Sequence, residues 1–360
     1  MILGLLLFFL CCFLLYSLVL FEDALYTKII SSILGISVFY ILLYNVTYNN
    51  DWDVYKAMFD GYLQSNDILF NIVADFFSSR GFEYEAVYQL HIVVMMLGFV
   101  YFISKFSFSY IFPVIFIYLL FQYIPLSNQI RYFVAFSFFL IASYMYIVEK
   151  NMLVFCFFLV LSLLSHIGIL LMYPFLLMRK IDSTVFLRKC LSYSLIIAIL
   201  FFVIYRVGVI LLGQFSSYFE NEMLSTIAGG VFNISVLIFW LFVIYWRHKH
   251  LMNKYDLEAD QRYIYLYKLS LYATIFVPTG VIVQIVSHRY IASSFIIWAT
   301  YLLYSFRYEN TLRRKFIHVS LFLAFLTFSL IYFYVLPEYI TGYSNFQLVL
   351  ELLNTNTLLQ

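Results

Sequence analysis

Long apolar blocks, separated by short polar segments, run through almost the whole chain. Each block has about 16 to 27 residues, the length that an α-helix needs to cross the hydrocarbon core of a bilayer. Charged residues make up only 11% of the sequence, whereas a soluble domain has roughly 25%. The sequence therefore predicts an all-α, polytopic integral membrane protein in which residues 1–360 form a single transmembrane domain.

The predicted membrane crossings follow the apolar runs of the sequence. They lie at about 1–21, 29–45, 86–104, 109–124, 131–148, 190–212, 230–246, 263–286, 290–306 and 316–335. The block 152–178 is ambiguous, because it fits either one long tilted helix or a hairpin of two short helices that turns at Ser165 and His166. The hairpin gives about 12 helical segments, and the single helix gives about 11.

The distribution of basic residues distinguishes these alternatives, because cytoplasmic loops carry an excess of lysine and arginine. With the amino terminus outside and a hairpin at 152–178, most of the 21 basic residues lie inside. These inside residues are Lys28, Lys105, Lys150, Arg179, Lys180, Arg188, Lys189, Arg247, Lys249, Lys254, Arg262, Arg307, Arg313, Arg314 and Lys315. A single crossing would turn the clusters at 179–189, 247–262 and 307–315 outward. We therefore predict the hairpin, with both termini outside and His166 at an outward-facing tip.

One predicted outside segment, 46–85, is long, polar and rich in acidic residues. Within it, the stretches DWDVYKAMFDGYL and DILFNIVADFFSSRG have the apolar spacing of helices. Amphipathic helices of this kind lie along a membrane surface. The predicted fold thus includes an outward-facing loop with two amphipathic helices.

Three arginines depart from the inward bias of the other cations. Arg131 begins a predicted helix at the outer face, Arg206 lies deeper in its helix, and Arg289 lies in a predicted outer turn. Arginine stays charged and is costly to place near hydrocarbon. Its planar fork matches pairs of phosphate oxygens, and a diphosphate leaving group needs its charge neutralised. We therefore predict that Arg131, Arg289 and Arg206 bind a lipid-linked diphosphate at the outer leaflet.

Each of these positions also has a simpler structural interpretation. Arg131 and Arg289 can extend to lipid phosphates from helix ends, and Arg206 can pair with a nearby acid. His166 can cap the hairpin turn through a hydrogen bond to the backbone.

Metal and cofactor chemistry have little support in the sequence. Asp51 and Asp53 form a D-x-D pattern, but a site for a hard cation usually recruits more oxygen ligands than this pair supplies. The cysteines lack metal-ligand spacing, and no nucleotide-binding or zinc-protease motif is present. We expect no metal, no cofactor and no nucleic-acid partner.

Several short motifs occur in a definite order. Asp51, Tyr55 and Phe59 form the pattern D-x-x-x-Y-x-x-x-F, and Asp67 opens the next loop helix. An N-x-I-R element follows at 128–131.

Two further elements complete the series. His166 is followed by small and apolar residues, and Arg289 stands next to Tyr290 late in the chain. In order and spacing, these motifs resemble the EpsG-type family of bacterial exopolysaccharide and capsule polymerases, which are Wzy-like. The chain departs from the family pattern at Tyr132, where glutamine is common, and at Gly168, where the family usually has Ser-Ala.

The resemblance implies a membrane glycosyltransferase of the bacterial cytoplasmic membrane with its active site facing outward. Such an enzyme joins undecaprenyl-diphosphate-linked oligosaccharide repeat units into a capsule, exopolysaccharide or O-antigen chain. An acceptor hydroxyl attacks the anomeric carbon, and undecaprenyl diphosphate leaves. Membrane lipid, a chain-length regulator and a flippase are the implied partners.

The candidate residues take separate roles in this scheme. His166 is the predicted catalytic base, because an imidazole can accept a proton near neutral pH; Asp51 is the alternative catalytic residue. Asn128, Tyr55 and Asp53 are the predicted substrate-binding residues, with Tyr55 stacking on a sugar face.

Two other functions use the same lipid-linked glycan. A ligase would transfer it to a different acceptor through the same arginine chemistry. A flippase would move it across the membrane and would need polar residues on a path to the inner face. The polar helix residues cluster outward in the predicted topology, which favours an enzyme.

Overall fold

The computed structural model describes residues 24–207, 227–281, 284–309, 312–342 and 344–359. The regular structure of these residues is helical, apart from one isolated β-bridge. Six of the described helices are long and apolar enough to cross a membrane. The all-α, polytopic architecture is therefore confirmed, while the predicted crossing at 1–21 lies outside the described residues.

The chain divides into two compact units. Unit 1 consists of Met1–Leu176 and Phe333–Gln360, and unit 2 consists of Leu177–Tyr332. The single transmembrane domain remains a prediction.

Unit 1 begins with a series of helices of very different lengths. They are α1 (Leu25–Phe39), α2 (Trp52–Phe59), α3 (Ile68–Ser78), α4 (Tyr84–Ser104), α5 (Ile111–Asn128), α6 (Ile130–Ile147) and α7 (Met152–Ser165). α1 continues into a π-helical turn at Tyr40–Tyr44. The short helices α2 and α3 lie in the segment 46–85, and their placement on a membrane surface remains a prediction.

The connections of unit 1 gather at two ends. At one end, the Asn49 side chain donates a hydrogen bond to the carbonyl of Ser127, which joins the segment 46–85 to the α5–α6 connection. We call this the site end. Away from it, Lys105 after α4 pairs with Glu149 after α6, with 3.7 Å between Nζ and Oε1. The connections that follow α4 and α6 therefore lie together, and which side of the membrane each end faces remains a prediction.

The chain reverses direction at His166. α7 ends at Ser165, His166 is extended, and a 3₁₀ segment follows at Ile167–Met172. The Tyr173 hydroxyl then donates to the carbonyl of Leu159 over 2.9 Å, so the returning chain runs back beside α7. The predicted reversal at 165–166 is confirmed. The returning arm, however, is a 3₁₀ segment and a short helical turn instead of the predicted second α-helix.

Unit 2 is built from longer helices. They are α8 (Ser183–Val207), α9 (Ile227–Met252), α10 (Gln261–Tyr272), α11 (Gln284–Phe306) and α12 (Leu312–Leu330). The Trp240 and Trp298 rings form part of its core, with centroids 4.0 Å apart. The chain then returns to unit 1 with a short helix at Leu336–Thr341 and with α13 (Asn345–Asn354).

One predicted boundary in unit 2 is wrong. The sequence predicted a helix at 263–286 and a turn at 287–289, but α10 ends at Tyr272 and α11 already begins at Gln284. A 3₁₀ turn at Val277–Val281 contains a proline and a glycine. Proline lacks the backbone N–H that a helix needs, and glycine is a weak helix former. Hydropathy did not reveal this break, because the apolar run continues through it. Arg289 lies within α11 and not in the predicted turn.

Candidate functional site

Arg131 lies in the first turn of α6, at the site end of unit 1. A single residue, Gln129, separates α5 from α6 and adopts a non-helical conformation with φ −99° and ψ 47°. Pro125 lies inside α5, and Gln122 before it is also non-helical. The polar residues 127–129 therefore end this kinked helix. The chain then continues directly into α6, which carries the arginine.

The guanidinium of Arg131 is held by groups from the segment 46–85. Its Nη1 lies 2.8 Å from Oδ2 of Asp67 and donates to the Ser65 hydroxyl over 2.7 Å. Its Cζ lies 4.7 Å from the Tyr55 ring centroid and 5.2 Å from that of Phe70. Among the described residues, Nε is buried without a hydrogen-bond partner. The arginine is thus fixed through one terminal nitrogen, and its Nε edge lacks an acceptor.

This pairing is largely removed from solvent. The side chains of Arg131 and Asp67 are 14% and 7% exposed. Charge-assisted hydrogen bonds are stronger than neutral ones, and cation–π contacts gain when the cation is desolvated. The local environment therefore stabilises one orientation of the guanidinium.

Asp67 was missed as a site residue because its position alone suggests a helix cap. It immediately precedes α3, where an aspartate side chain usually accepts a backbone N–H of the first turn. Here the side chain makes no such cap, and the carboxylate pairs with Arg131. The only sequence signal for it was the acidic position in the family pattern.

His166 lies next to the same carboxylate. Its Nδ1 is 4.0 Å from Oδ1 of Asp67, which is longer than a hydrogen bond. Nδ1 accepts the backbone N–H of Gly168 over 3.0 Å, so the simpler prediction of a turn cap is confirmed. The ring also packs edge-on against Tyr132. The structure therefore brings Arg131 and His166 together around Asp67.

Asp51 and Asn128 lie where α2 approaches the α5–α6 connection. The buried side chain of Asn49 joins Asp51 to this connection. Its amide nitrogen donates to the Ser127 carbonyl over 2.9 Å, and its oxygen accepts the Asp51 N–H over 3.0 Å. Asn128 is buried too, and its oxygen accepts a 3.3 Å hydrogen bond from the Ser127 hydroxyl. Both predicted residues are thus tied to the connection that leads into α6.

Tyr55 and Asp53 occupy different environments on α2. The Tyr55 ring is buried between Arg131 and Phe70, so it supports the arginine. Asp53 is exposed and accepts a 3.0 Å hydrogen bond from the Tyr48 hydroxyl. This hydrogen bond raises the pKa of the Tyr48 hydroxyl, because the phenol proton is shared with a carboxylate. Sugar binding by either predicted residue remains a prediction.

The other two predicted arginines belong to unit 2. Arg289 is half-buried in the first turns of α11. Arg206 lies near the end of α8, and its side chain is outside the described residues, as are the nearby acids Glu220 and Glu222. Joint binding of one diphosphate by the three arginines therefore remains a prediction.

The site combines the Arg131–Asp67 ion pair with an imidazole that is fixed by a backbone hydrogen bond. Over the residues that the structure describes, no group of three His, Cys, Asp or Glu side chains is arranged to hold a metal ion. The Nε edge of Arg131 offers a donor with the geometry that phosphate and carboxylate oxygens accept.

Comparison with known protein families gives one match. A model of the EpsG family matches residues 28–348, a range that includes every described residue of the site. Neither a curated protein nor a solved structure matches the chain.

Proposed function

Since the chain belongs to the EpsG family, we propose that it joins undecaprenyl-diphosphate-linked oligosaccharide repeat units into a polysaccharide. The proposed reaction takes place at the outer face of the bacterial cytoplasmic membrane and yields capsule or exopolysaccharide. The protein would act as a glycosyltransferase whose leaving group is undecaprenyl diphosphate.

The observation that carries the proposal is the buried, unpartnered Nε of Arg131. Leaving a buried donor without an acceptor costs free energy, so an anionic oxygen placed at this edge gains the hydrogen bond that the protein does not supply. Asp67 and Ser65 occupy Nη1. In the proposed complex, a phosphate oxygen accepts from the Nε edge while both of these contacts are kept.

In the proposed reaction, the acceptor hydroxyl oxygen forms a bond to the anomeric carbon of the donor. The bond from that carbon to the diphosphate oxygen breaks, and its electron pair leaves with the diphosphate. Arg131 stabilises the charge that develops on this group. Arg289 and Arg206 are the further candidates for the same task, and the proton of the acceptor hydroxyl passes to a base at the site.

The hydrogen bond from Gly168 limits how His166 can take part. Because Nδ1 accepts a backbone N–H, the neutral imidazole carries its own proton on Nε2. In this tautomer the ring presents a donor, and His166 can bind a phosphate or sugar oxygen through Nε2. Acting as a base through Nε2 requires the other tautomer, which would lose the hydrogen bond from Gly168. Asp51 is then the candidate base.

The proposal is tested by the glycans of a strain that lacks the gene. We expect single repeat units to accumulate on their lipid carrier at the outer leaflet, where an added glycosidase can reach them, and we expect the wild-type gene to restore long chains. Long chains that stay on the carrier would indicate a ligase. Repeat units protected from the glycosidase would indicate a flippase. Either of these outcomes overturns the polymerase.

A further inference from the structure

The C-terminal residues of the chain pair with the segment that leads into the site. Val46 and Asn356 form an antiparallel β-bridge. Next to it, the backbone N–H and the hydroxyl of Thr47 both donate to the carbonyl of Thr355, over 3.2 and 2.7 Å. We call residues 355–357 the C-terminal clamp.

Asn356 makes the central contact of the clamp. It is fully buried, and its amide nitrogen donates to the carbonyls of Ile41 and Leu42, over 2.8 and 3.1 Å. Its oxygen accepts the backbone N–H of Leu358 over 3.0 Å. Both carbonyls belong to the π-helical turn that follows α1. A helix end leaves carbonyls without intrahelical donors, and Asn356 supplies a donor to them.

The clamped segment is directly continuous with the site. Three residues after Val46, Asn49 fastens the chain to the carbonyl of Ser127. Asn49 also accepts the N–H of Asp51, the residue that precedes α2. α2 in turn carries Tyr55, whose ring lies under Arg131. The clamp on one side and the α5–α6 connection on the other therefore hold the same short stretch, 45–51.

We propose that Asn356 is a positioning residue for the glycosyl transfer. It holds residues 45–51 so that Asp51 keeps its place before α2 and Tyr55 of α2 keeps its contact with Arg131. This inference rests on the proposed function for its catalytic consequence, while the clamp itself is a property of the fold. Asn356 contacts no reacting group, and its effect passes through the backbone of 41–51.

The main variant is Asn356→Asp, which replaces a donor by a carboxylate facing two carbonyl oxygens. We expect faster amide hydrogen exchange at 45–55 and a loss of polymer formation on the order of 10²-fold, because small displacements of reacting groups are costly. Thr357→Ala is the matched control. The Thr357 side chain is exposed, and its backbone N–H, which donates to Asn45, is retained. This control should behave as the wild type.

An engineered disulfide tests whether the Asn356→Asp variant loses activity because residues 45–51 are displaced. Thr47→Cys and Thr355→Cys, introduced together into the Asn356→Asp variant with the 4 native cysteines changed to alanine, should form a bond across the clamp. We expect oxidation to restore polymer formation and slow the exchange at 45–55, and we expect reduction to reverse both effects. The oxidised and reduced states are compared at equal amounts of folded protein, so that the rescue reports the position of 45–51 and not the yield.

The outcomes separate the two proposals. Wild-type polymer formation by Asn356→Asp, or a disulfide that forms without any rescue, would overturn the positioning role. If the wild-type protein itself makes no polymer, the proposed function fails. In that case faster exchange at 45–55 in Asn356→Asp still supports the clamp, and unchanged exchange overturns it.

Discussion

Two buried arginines, one in each unit, show how differently the same side chain is used. Arg247 of unit 2 is 2% exposed and pairs with Glu309, which is 1% exposed. Its Nη1 contacts Glu309, its Nε donates to the Ser305 hydroxyl over 3.0 Å, and its Nη2 donates to the Ser305 carbonyl over 2.6 Å. Every nitrogen of this guanidinium has an acceptor within the protein.

Arg131 of unit 1 is paired with an acid too, but its hydrogen bonds are concentrated on one nitrogen. Asp67 and Ser65 both bind Nη1, whereas Nε has no partner among the described residues. A buried guanidinium whose nitrogens all have acceptors leaves no donor for a ligand, whereas a buried N–H without an acceptor leaves one donor that a ligand oxygen could satisfy. The comparison supports a structural role for Arg247, and the open Nε agrees with the anion-binding role proposed for Arg131.

The largest effect should come from breaking the structural pair. Arg247→Ala leaves Glu309 buried without its cation, which costs about 3 to 5 kcal/mol of stability. We expect little of this variant in the membrane and a lowered unfolding temperature in detergent. Replacing both partners, as Arg247→Met with Glu309→Gln, should recover most of the loss. Normal accumulation of Arg247→Ala would show that the pair is not structural.

Arg131→Lys should show the opposite behaviour. Lysine keeps the charge that would satisfy Asp67 or a lipid phosphate, but it lacks the planar fork that binds phosphate bidentately. We expect wild-type amounts of protein and a fall in the rate of glycan transfer of about 10² to 10³-fold. Near-normal transfer by both Arg131→Lys and Arg131→Ala would reduce this arginine to a lipid anchor.

Two variants of His166 test its role beside Arg131. Asparagine places an oxygen near the position of Nδ1 and can keep the Gly168 cap, whereas glutamine places an N–H near the position of Nε2. If His166 acts as a donor, His166→Asn should accumulate normally but lose activity on the order of 10²-fold, and His166→Gln should retain more.

The pH profile gives an independent measurement for the same residue. A donor works in both protonation states of the imidazole, so wild-type transfer should not fall on the acid side through His166. A base would instead lose activity as the imidazole protonates. The catalytic-base role of His166 would be supported by two results together. Both amide variants would be equally inactive, and the loss of wild-type activity at acid pH would be absent from the variants.

Asp67→Asn should have the smallest effect. The amide oxygen can still accept from Nη1 of Arg131, but the negative charge of the ion pair is lost. We expect kcat/KM for the lipid-linked donor to fall about five- to tenfold, since this weakening of the hydrogen bond costs roughly 1 kcal/mol. Ser65→Ala is the matched control on the same nitrogen and should change it less. A loss as large as that of Arg131→Lys would give Asp67 a direct role in the chemistry.

The sequence predicted the features that depend on local composition. Apolar length identified the membrane helices, and the bias of basic residues selected the reversal at His166, which the structure confirms. The same reasoning failed at 273–281, because hydropathy does not register the missing N–H of Pro278.

Pairings between distant residues could not be predicted in this way. Arg247 was counted as an ordinary inside cation, but it is a buried partner of Glu309. Asp67 is separated from Arg131 by three helices in sequence, α3, α4 and α5, and Asn356 reaches Ile41 from the far end of the chain. Such contacts depend on tertiary packing, which one sequence does not reveal.

The one-residue link at Gln129 has a consequence for turnover. Arg131 begins a long helix immediately after another long helix ends, so its position is as stiff as the two helices and cannot swing as a loop residue would. We therefore expect the substrates to supply the motion. In the proposed reaction, two lipid-linked chains diffuse laterally within the leaflet to a stationary cation, and we expect the rate of elongation to follow membrane fluidity more closely than any rearrangement of the arginine.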